Sequence, residues 1–221
     1  MVVVNEYILD LSAFRLYHYF MRTNLKNAIF DDVEQLWQVM KKMIDISNVE
    51  FDRFCSACRF ETYNKNEIVS HPQIIPNEIY FIKKGLIRVF IIDDKGGQHT
   101  IHFAMENQFI ADYSNYILMK PGVYTLQALE NTELISIPRS AIEWGYVHLK
   151  DGNKMGRLIA EFYFMYQDDR INSRYTKTPK ERYLLIDSIF PHIHQRVPQH
   201  MIASYLGITP IHLSRLKSSK N

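Results

Sequence analysis

Between residues 199 and 217 the chain reads QHMIASYLGITPIHLSRLK, which combines basic, amide and hydroxyl side chains suited to phosphates with the apolar spacing of two short helices. Ile202, Leu206, Ile208, Leu213 and Leu216 form the expected shared core, and Ala203 is small where a second helix must come close. Gly207 can take the left-handed conformation that ends a first helix. Thr209 can cap a second, whose first position falls on Pro210, where a missing amide costs nothing. This is a helix-turn-helix pattern, and the chemistry it offers is contact with DNA; a purely structural helical hairpin is the alternative. Gln199 and Thr209 stand near helix starts, where they can meet phosphates. His212 and Ser214 can reach bases or phosphates from the second helix, and Lys217 adds charge.

Charge follows the same division. The whole chain is nearly neutral, at +2 with 26 basic and 24 acidic residues. From Ser173 onward, however, Arg174, Lys177, Lys180, Arg182, Arg196, Arg215, Lys217 and Lys220 face only Glu181 and Asp187, so the preceding residues are net negative. A basic end joined to a mildly acidic body suits phosphate binding at that end and a different task in the body.

Other chemistry is sparse. Cys55 and Cys58 have no second pair to make up the about four ligands of a structural zinc or an iron-sulfur cluster, and within FDRFCSACRF they read as packed thiols at a helix end. His99 and His102, three apart on a strand-like run, face opposite sides and cannot share one ion, which argues against a metalloenzyme built on this scaffold. No nucleophile triad or phosphate loop is present, so no enzyme activity, metal or cofactor is expected.

The elements that must position these residues follow from length and periodicity. A chain of 221 residues with 47% hydrophobic content can bury one medium core and a small satellite. Residues 1–30 carry no partner pattern and are given no role. Glu6, Asp10 and Arg15 interrupt their apolar stretch, so they are not read as a signal peptide, and no run reaches the roughly 18 apolar residues of a membrane span. A cytoplasmic location is the expectation. Residues 31–57 read as two short helices. From 59 to 138 the period shortens to strands, RFETY, EIVS, EIYFIKK, LIRVFIID, QHTIHFA, YTLQAL and ELISI, separated by turns in the manner of an antiparallel β-roll or jelly roll. A long helix from about 140 or 151 to 171 follows. On it Met155, Leu158, Phe162 and Met165 recur at three- and four-residue spacing, an a/d seam of about two heptads that joins two copies or packs on the chain's own roll. Thr178 and Glu181 form a capping-box pattern for a helix to about Phe190.

The order helix, β-roll, long helix, helix-turn-helix resembles the Crp/Fnr family of bacterial transcription regulators from about Asp31 onward. The residues that carry the resemblance are NEIYFIKKGLIRVFIIDDKGGQHTIHFAMENQF and the C-terminal QHMIASYLGITPIHLSRLK. It implies an α+β protein: an N-terminal double-stranded β-helix (a jelly-roll-like β-roll), a long dimerisation helix and a C-terminal helix-turn-helix domain. The implied boundaries are 1–30 for the extension, 31–145 for a cyclic-nucleotide-binding-like sensor, 146–172 for the dimerisation helix and 173–221 for the DNA-binding domain. The family's β-hairpin wing would follow the recognition helix, and the chain stops at Asn221, so a wingless domain is expected.

The resemblance also implies a homodimer that binds double-stranded DNA, with RNA polymerase and a small-molecule effector as further candidate partners. In cyclic-AMP-binding relatives a Gly-Glu pair holds the ribose and an Arg-Ser pair the phosphate. Here Ala111-Asp112 and Gly122-Val123 stand at those places, with Lys120 as the one nearby cation. A buried phosphate without a charged partner is costly, so cyclic AMP is not the expected effector. The corresponding pocket would draw on Asp112, Tyr113, Lys120, Val123 and Tyr124. Haem-binding relatives use a roll histidine; His71, His99 and His102 are read as surface or turn residues instead. Among the family's base-reading positions, Pro210 and Ile211 replace the first two, while Arg215 retains the third and can fork onto guanine. The alternative function is a sensor or scaffold whose helix-turn-helix no longer binds DNA.

Overall fold

The computed structural model of the chain describes residues 33–218, so the extension at 1–30 lies outside the described residues. Two helices come first, α1 (Glu34–Met43) and α2 (Asn48–Cys55), as the periodicity requires. Leu36, Val39, Met40 and Met43 bury one face of α1. Ser47 caps α2 in a reciprocal box with Glu50, each side chain serving the other's backbone amide.

Eight strands follow: β1 (Arg59–Tyr63), β2 (Ile68–Ser70), β3 (Glu78–Lys84), β4 (Ile87–Ile92), β5 (Gln98–Ala104), β6 (Phe109–Ile110), β7 (Thr125–Ala128) and β8 (Thr132–Pro138). Seven coincide with the strand-like runs of the sequence; β6, two residues long, is too short to show a period. They form two four-stranded antiparallel sheets, ordered β1-β8-β3-β6 and β2-β7-β4-β5. Between the sheets Ile82, Ile87, Val89, Leu126 and Leu134 make a closed apolar interior. The β4–β5 ladder slips register between Val89 and Phe90, so that Val89 faces His102 and Phe90 faces Thr100, with Ile101 as the extra residue. Such a bulge re-aims neighbouring side chains.

A short helix α3 (Tyr113–Leu118) leaves the roll between β6 and β7. After β8, the helical signal that the sequence reads as one element divides into α4 (Arg139–His148) and the 25-residue α5 (Gly152–Thr176). The two helices meet so closely that a Cβ on Gly152 would lie 2.0 Å from the carbonyl oxygen of Gly145. Glycine is therefore required at this crossing.

The expected seam on α5 needs correction. Met155 and Leu158 are buried in the chain's own core, against α1, α2, α4 and the β3/β8 face. Phe162 and Met165 are half-buried, and Phe162 lines a small gap beside Met43 and Phe109. The large apolar side chains that α5 leaves open are instead Phe164, Ile171 and Tyr175, at 73%, 55% and 86% exposure.

The C-terminal part consists of α6 (Pro179–Ile189), α7 (Ile193–Arg196), α8 (Gln199–Leu206) and α9 (Pro210–Ser218). Thr178 and Glu181 form the expected capping box at the start of α6. The core of these helices includes Tyr183, Ile186, Phe190, Ile202 and Leu213, and it is continuous with Leu86, Phe103, Met105 and Leu129 of the roll. The helical end is thus packed onto the roll. Among the described residues no helix is long and apolar enough to cross a membrane.

Candidate functional site

The helix-turn-helix is built as its residues dictate. Ile202, Ala203, Leu206 and Leu213 are buried, with Ile208 and Leu216 packed partly against them. Gly207 closes α8 at φ +69°, and its amide bonds back to the carbonyls of Ala203 and Ser204. The Thr209 hydroxyl accepts from the His212 amide at 3.1 Å, capping α9 behind Pro210. Thr209, His212, Ser214, Arg215 and Lys217 are all exposed. Gln199 differs: it is half-buried, and its side-chain oxygen is shielded without a hydrogen-bond partner.

The sequence gives no sign of how this motif is held. β5 is the outer strand of its sheet, with backbone groups that no strand pairs. The Ser204 hydroxyl on α8 covers them, accepting from the Thr100 amide at 2.9 Å and donating to the Gln98 carbonyl at 3.4 Å. Beside it runs a polar chain through three elements. His102 Nδ1 of β5 lies 2.8 Å from the Tyr166 hydroxyl of α5, which lies 2.9 Å from the Tyr205 hydroxyl of α8. Burial, with the Arg170 charge adding, pushes the His102 pKa down to about 3, so its imidazole is neutral. Burial also raises both tyrosines, keeping them as phenols. Against the reading of a surface or turn residue, His102 is buried; His99 is exposed and bonds to Asp93 in the hairpin, and His71 is exposed.

A second clamp lies farther along the same interface. Arg196 joins Glu106 at 2.7 Å and also bonds Glu130. Burial works against its charge, but the two carboxylates outweigh that and hold its pKa above the usual guanidinium range. In this docked arrangement Thr209 and His212 look across an open cleft of about 610 Å³ towards His99.

Between the roll and α5 lies a cavity of about 360 Å³. Tyr113 and Tyr124 line it, together with Ile101, His102, Tyr163 and Gln167. Of the other pocket candidates, Asp112 is buried and already committed. Its carboxylate accepts from the amides of Val123 at 2.8 Å and Tyr124 at 3.3 Å and from the Asn115 side chain at 2.9 Å, so it pins the 122–124 loop. Lys120 and Val123 are exposed and do not reach the cavity wall. Among the described residues no lysine or arginine lines it. The Arg88 guanidinium is buried elsewhere, donating to Thr100 and Gln98 at 2.9 and 2.7 Å. The free thiols Cys55 and Cys58 pack half-buried against the first core, and no group of three metal-ligating side chains exists among the described residues.

Tyr166, Ser204, Tyr205 and Arg196 were not legible as functional residues in the sequence. Their partners lie 39 to 106 positions away, which no local period can reveal.

Residues 60–145 match the family model of the cyclic nucleotide-binding domain. No curated protein sequence matches the chain. Among solved structures, FixK2 from Bradyrhizobium japonicum is 17% identical with a TM-score of 0.61, over 74% of this chain and 84% of that one. The c-di-GMP responsive global regulator CLP of Xanthomonas campestris is 14% identical with a TM-score of 0.61, over 78% and 91%. CprK in complex with OCPA is 16% identical with a TM-score of 0.56, over 77% and 81%. Identities this low speak for the fold. Residues 60–145 are similar to the cyclic nucleotide-binding domain, and the chain shares its fold with these solved structures.

Proposed function

We propose that this protein is a cytoplasmic, homodimeric, DNA-binding transcription regulator of the Crp/Fnr type, and not an enzyme. The observation that carries the reading is α9: a capped helix on a complete helix-turn-helix core, with Arg215, Lys217, His212 and Ser214 all open to a partner. Arg215 reads a base, through the bidentate contact an arginine makes with guanine, and Lys217 contacts phosphate. Two copies join along Phe164, Ile171 and Tyr175, whose spacing of seven and four keeps them on one face of α5. Two recognition helices would then enter major grooves about 34 Å apart.

The effector is an uncharged or weakly polar small molecule held between the roll and α5, and it is not cyclic AMP. The support is a cavity walled by tyrosines and aliphatic groups, with no cation for a phosphate among the described residues, beside an Asp112 already engaged by two backbone amides and the Asn115 side chain. RNA polymerase is a further candidate partner.

Binding-site selection on random duplex DNA, followed by gel shift, tests the reading. A selected half-site repeated about one helical turn apart is expected. Arg215→Ala should relax one position per half-site, a loss of about 1 to 3 kcal/mol of discrimination. Lys217→Ala should weaken every sequence alike and lower the salt slope by about one. The second reading, a sensor whose helix-turn-helix no longer reads DNA, is favoured by the docking of α8 on β5. Absence of any retained duplex at low salt would decide for it.

A further inference from the structure

The basic residues of the C-terminal third are not all on the DNA-facing side. Between the far half of α5 and the helices α6 and α8 lies a cleft of about 250 Å³. Arg170, Arg174, Lys177 and Arg182 line it, with Asp169 as the one carboxylate among the described residues. Among the described residues none of these four cations is in an ion pair. The contrast with Arg196, which has two carboxylates in the same interface, is direct.

What holds the cluster in place is neutral. Arg182 donates to the carbonyls of Lys177 at 2.6 Å and Leu206 at 3.2 Å, and Arg170 donates to the carbonyl of Thr100 at 3.3 Å while its guanidinium sits 4.9 Å from the Tyr205 ring centre. Each keeps a buried Nε–H with no acceptor. Arg174 reaches from α5 to the turn of the helix-turn-helix, where its Nη2 lies 3.8 Å from the position a Cβ would take on Gly207. Burial first, and then repulsion from Arg170 and Arg182, lowers the proton affinity of Arg174. Like charges gathered at a half-closed interface, with donors to spare, lack an anion. Leu185, Ile189, Tyr205 and Leu206 supply an apolar wall next to them.

We propose that this cleft binds a phosphate-bearing small molecule, its anionic group among Arg170, Arg174 and Arg182 and its organic body against Tyr205, Leu206 and Leu185. The site adjoins the cavity between the roll and α5, sharing Tyr166 with its wall, but draws its cations from other residues, and it does not depend on the DNA-binding reading. Because its cations come from α5 and α6 and its wall from α6 and α8, the bound anion ties the long helix to the helix-turn-helix and strengthens the docked arrangement.

The test is calorimetric titration of the full chain with phenyl phosphate, inorganic pyrophosphate and inorganic phosphate at constant ionic strength. Saturable binding is expected, with phenyl phosphate tighter than inorganic phosphate because of the apolar wall. Arg174→Gln, at an exposed position, should weaken phenyl phosphate about tenfold, the effect of one charge-assisted contact. Lys177→Gln should weaken it less, and Lys154→Gln, exposed near the start of the same helix, should leave it unchanged. Bound phenyl phosphate should also slow amide exchange in α8. If Arg174→Gln loses its fold by circular dichroism, Lys177→Gln carries the comparison. Three results would overturn the proposal: no binding of any of the three probes at millimolar concentration, equal losses in the cleft variants and Lys154→Gln, or Arg174→Gln lowering affinity for duplex DNA while phenyl phosphate fails to bind.

Discussion

The two halves of α5 do different work with the same kind of side chain. In the first half, Met155 and Leu158 are 5% and 4% exposed, sealed against α1, α4 and the roll. In the second half, apolar and aromatic groups divide between two partners: Tyr166 turns into the docked helix-turn-helix, while Phe164, Ile171 and Tyr175 stay open. One continuous helix therefore carries a segment sealed in the core and a segment that meets the docked helices on one side and solvent on the other.

The largest test of that division is Leu158→Ala. A leucine buried to this degree should cost about 2 to 5 kcal/mol on truncation, since the cavity left behind cannot collapse fully. Denaturant unfolding measures it, and a loss below about 1 kcal/mol would place Leu158 outside the core.

Acid should act on the second half. His102 is neutral when folded, with its pKa depressed to about 3, whereas the unfolded chain takes up a proton near the ordinary histidine value. Its contribution to stability is therefore full above about pH 6.5 and is lost as pH falls below that, by about 2 kcal/mol between pH 7 and 5. Replacing His102 with Gln should flatten that part of the pH–stability curve, and an unchanged slope would show that other groups account for it.

Smaller still is Tyr205→Phe, which removes one hydroxyl from the His102–Tyr166–Tyr205 chain and leaves the ring packing intact. About 1 kcal/mol is expected, with faster exchange of α8 amides as the local readout. Ile171→Ala should shift monomer stability by less than about 0.5 kcal/mol, because the side chain is open. Light scattering should nevertheless show weaker dimers for Ile171→Ala and not for Met155→Ala; the reverse order would return the seam to the core-facing side.

Much of this architecture was legible in the sequence for local reasons. The helix-turn-helix depends on caps, a left-handed glycine and a small residue within 19 positions, and each of these is a short-range constraint. Strand periods and the capping box at Thr178 are of the same kind. For the α5 seam, three- and four-residue spacing tells which residues share a face but not what that face meets. Met155 and Leu158 meet their own chain. Asp112 was read as a pocket residue by position alone, yet its carboxylate is consumed by the amides of Val123 and Tyr124, a pairing 11 to 12 residues apart across a loop. Unbroken alternation sets His99 and His102 on opposite faces of β5, whereas the bulge at Ile101 pairs them with Ile91 and Val89, two residues apart on β4 and so on one face, and Tyr166, which covers His102, lies 64 positions away. The cation cleft was invisible for a related reason, since Arg170 and Arg174 lie on one helix and Arg182 on the next.

The contact between Gly145 and Gly152 has a mechanical consequence. With 2.0 Å between the place of a methyl group on Gly152 and the Gly145 oxygen, no side chain fits at 152, and even Gly152→Ala must push α4 and α5 apart just after α4 leaves β8. A tilt forced at this elbow grows along a helix of 25 residues, about 37 Å long, and is largest at the extended Lys177–Thr178 joint before α6.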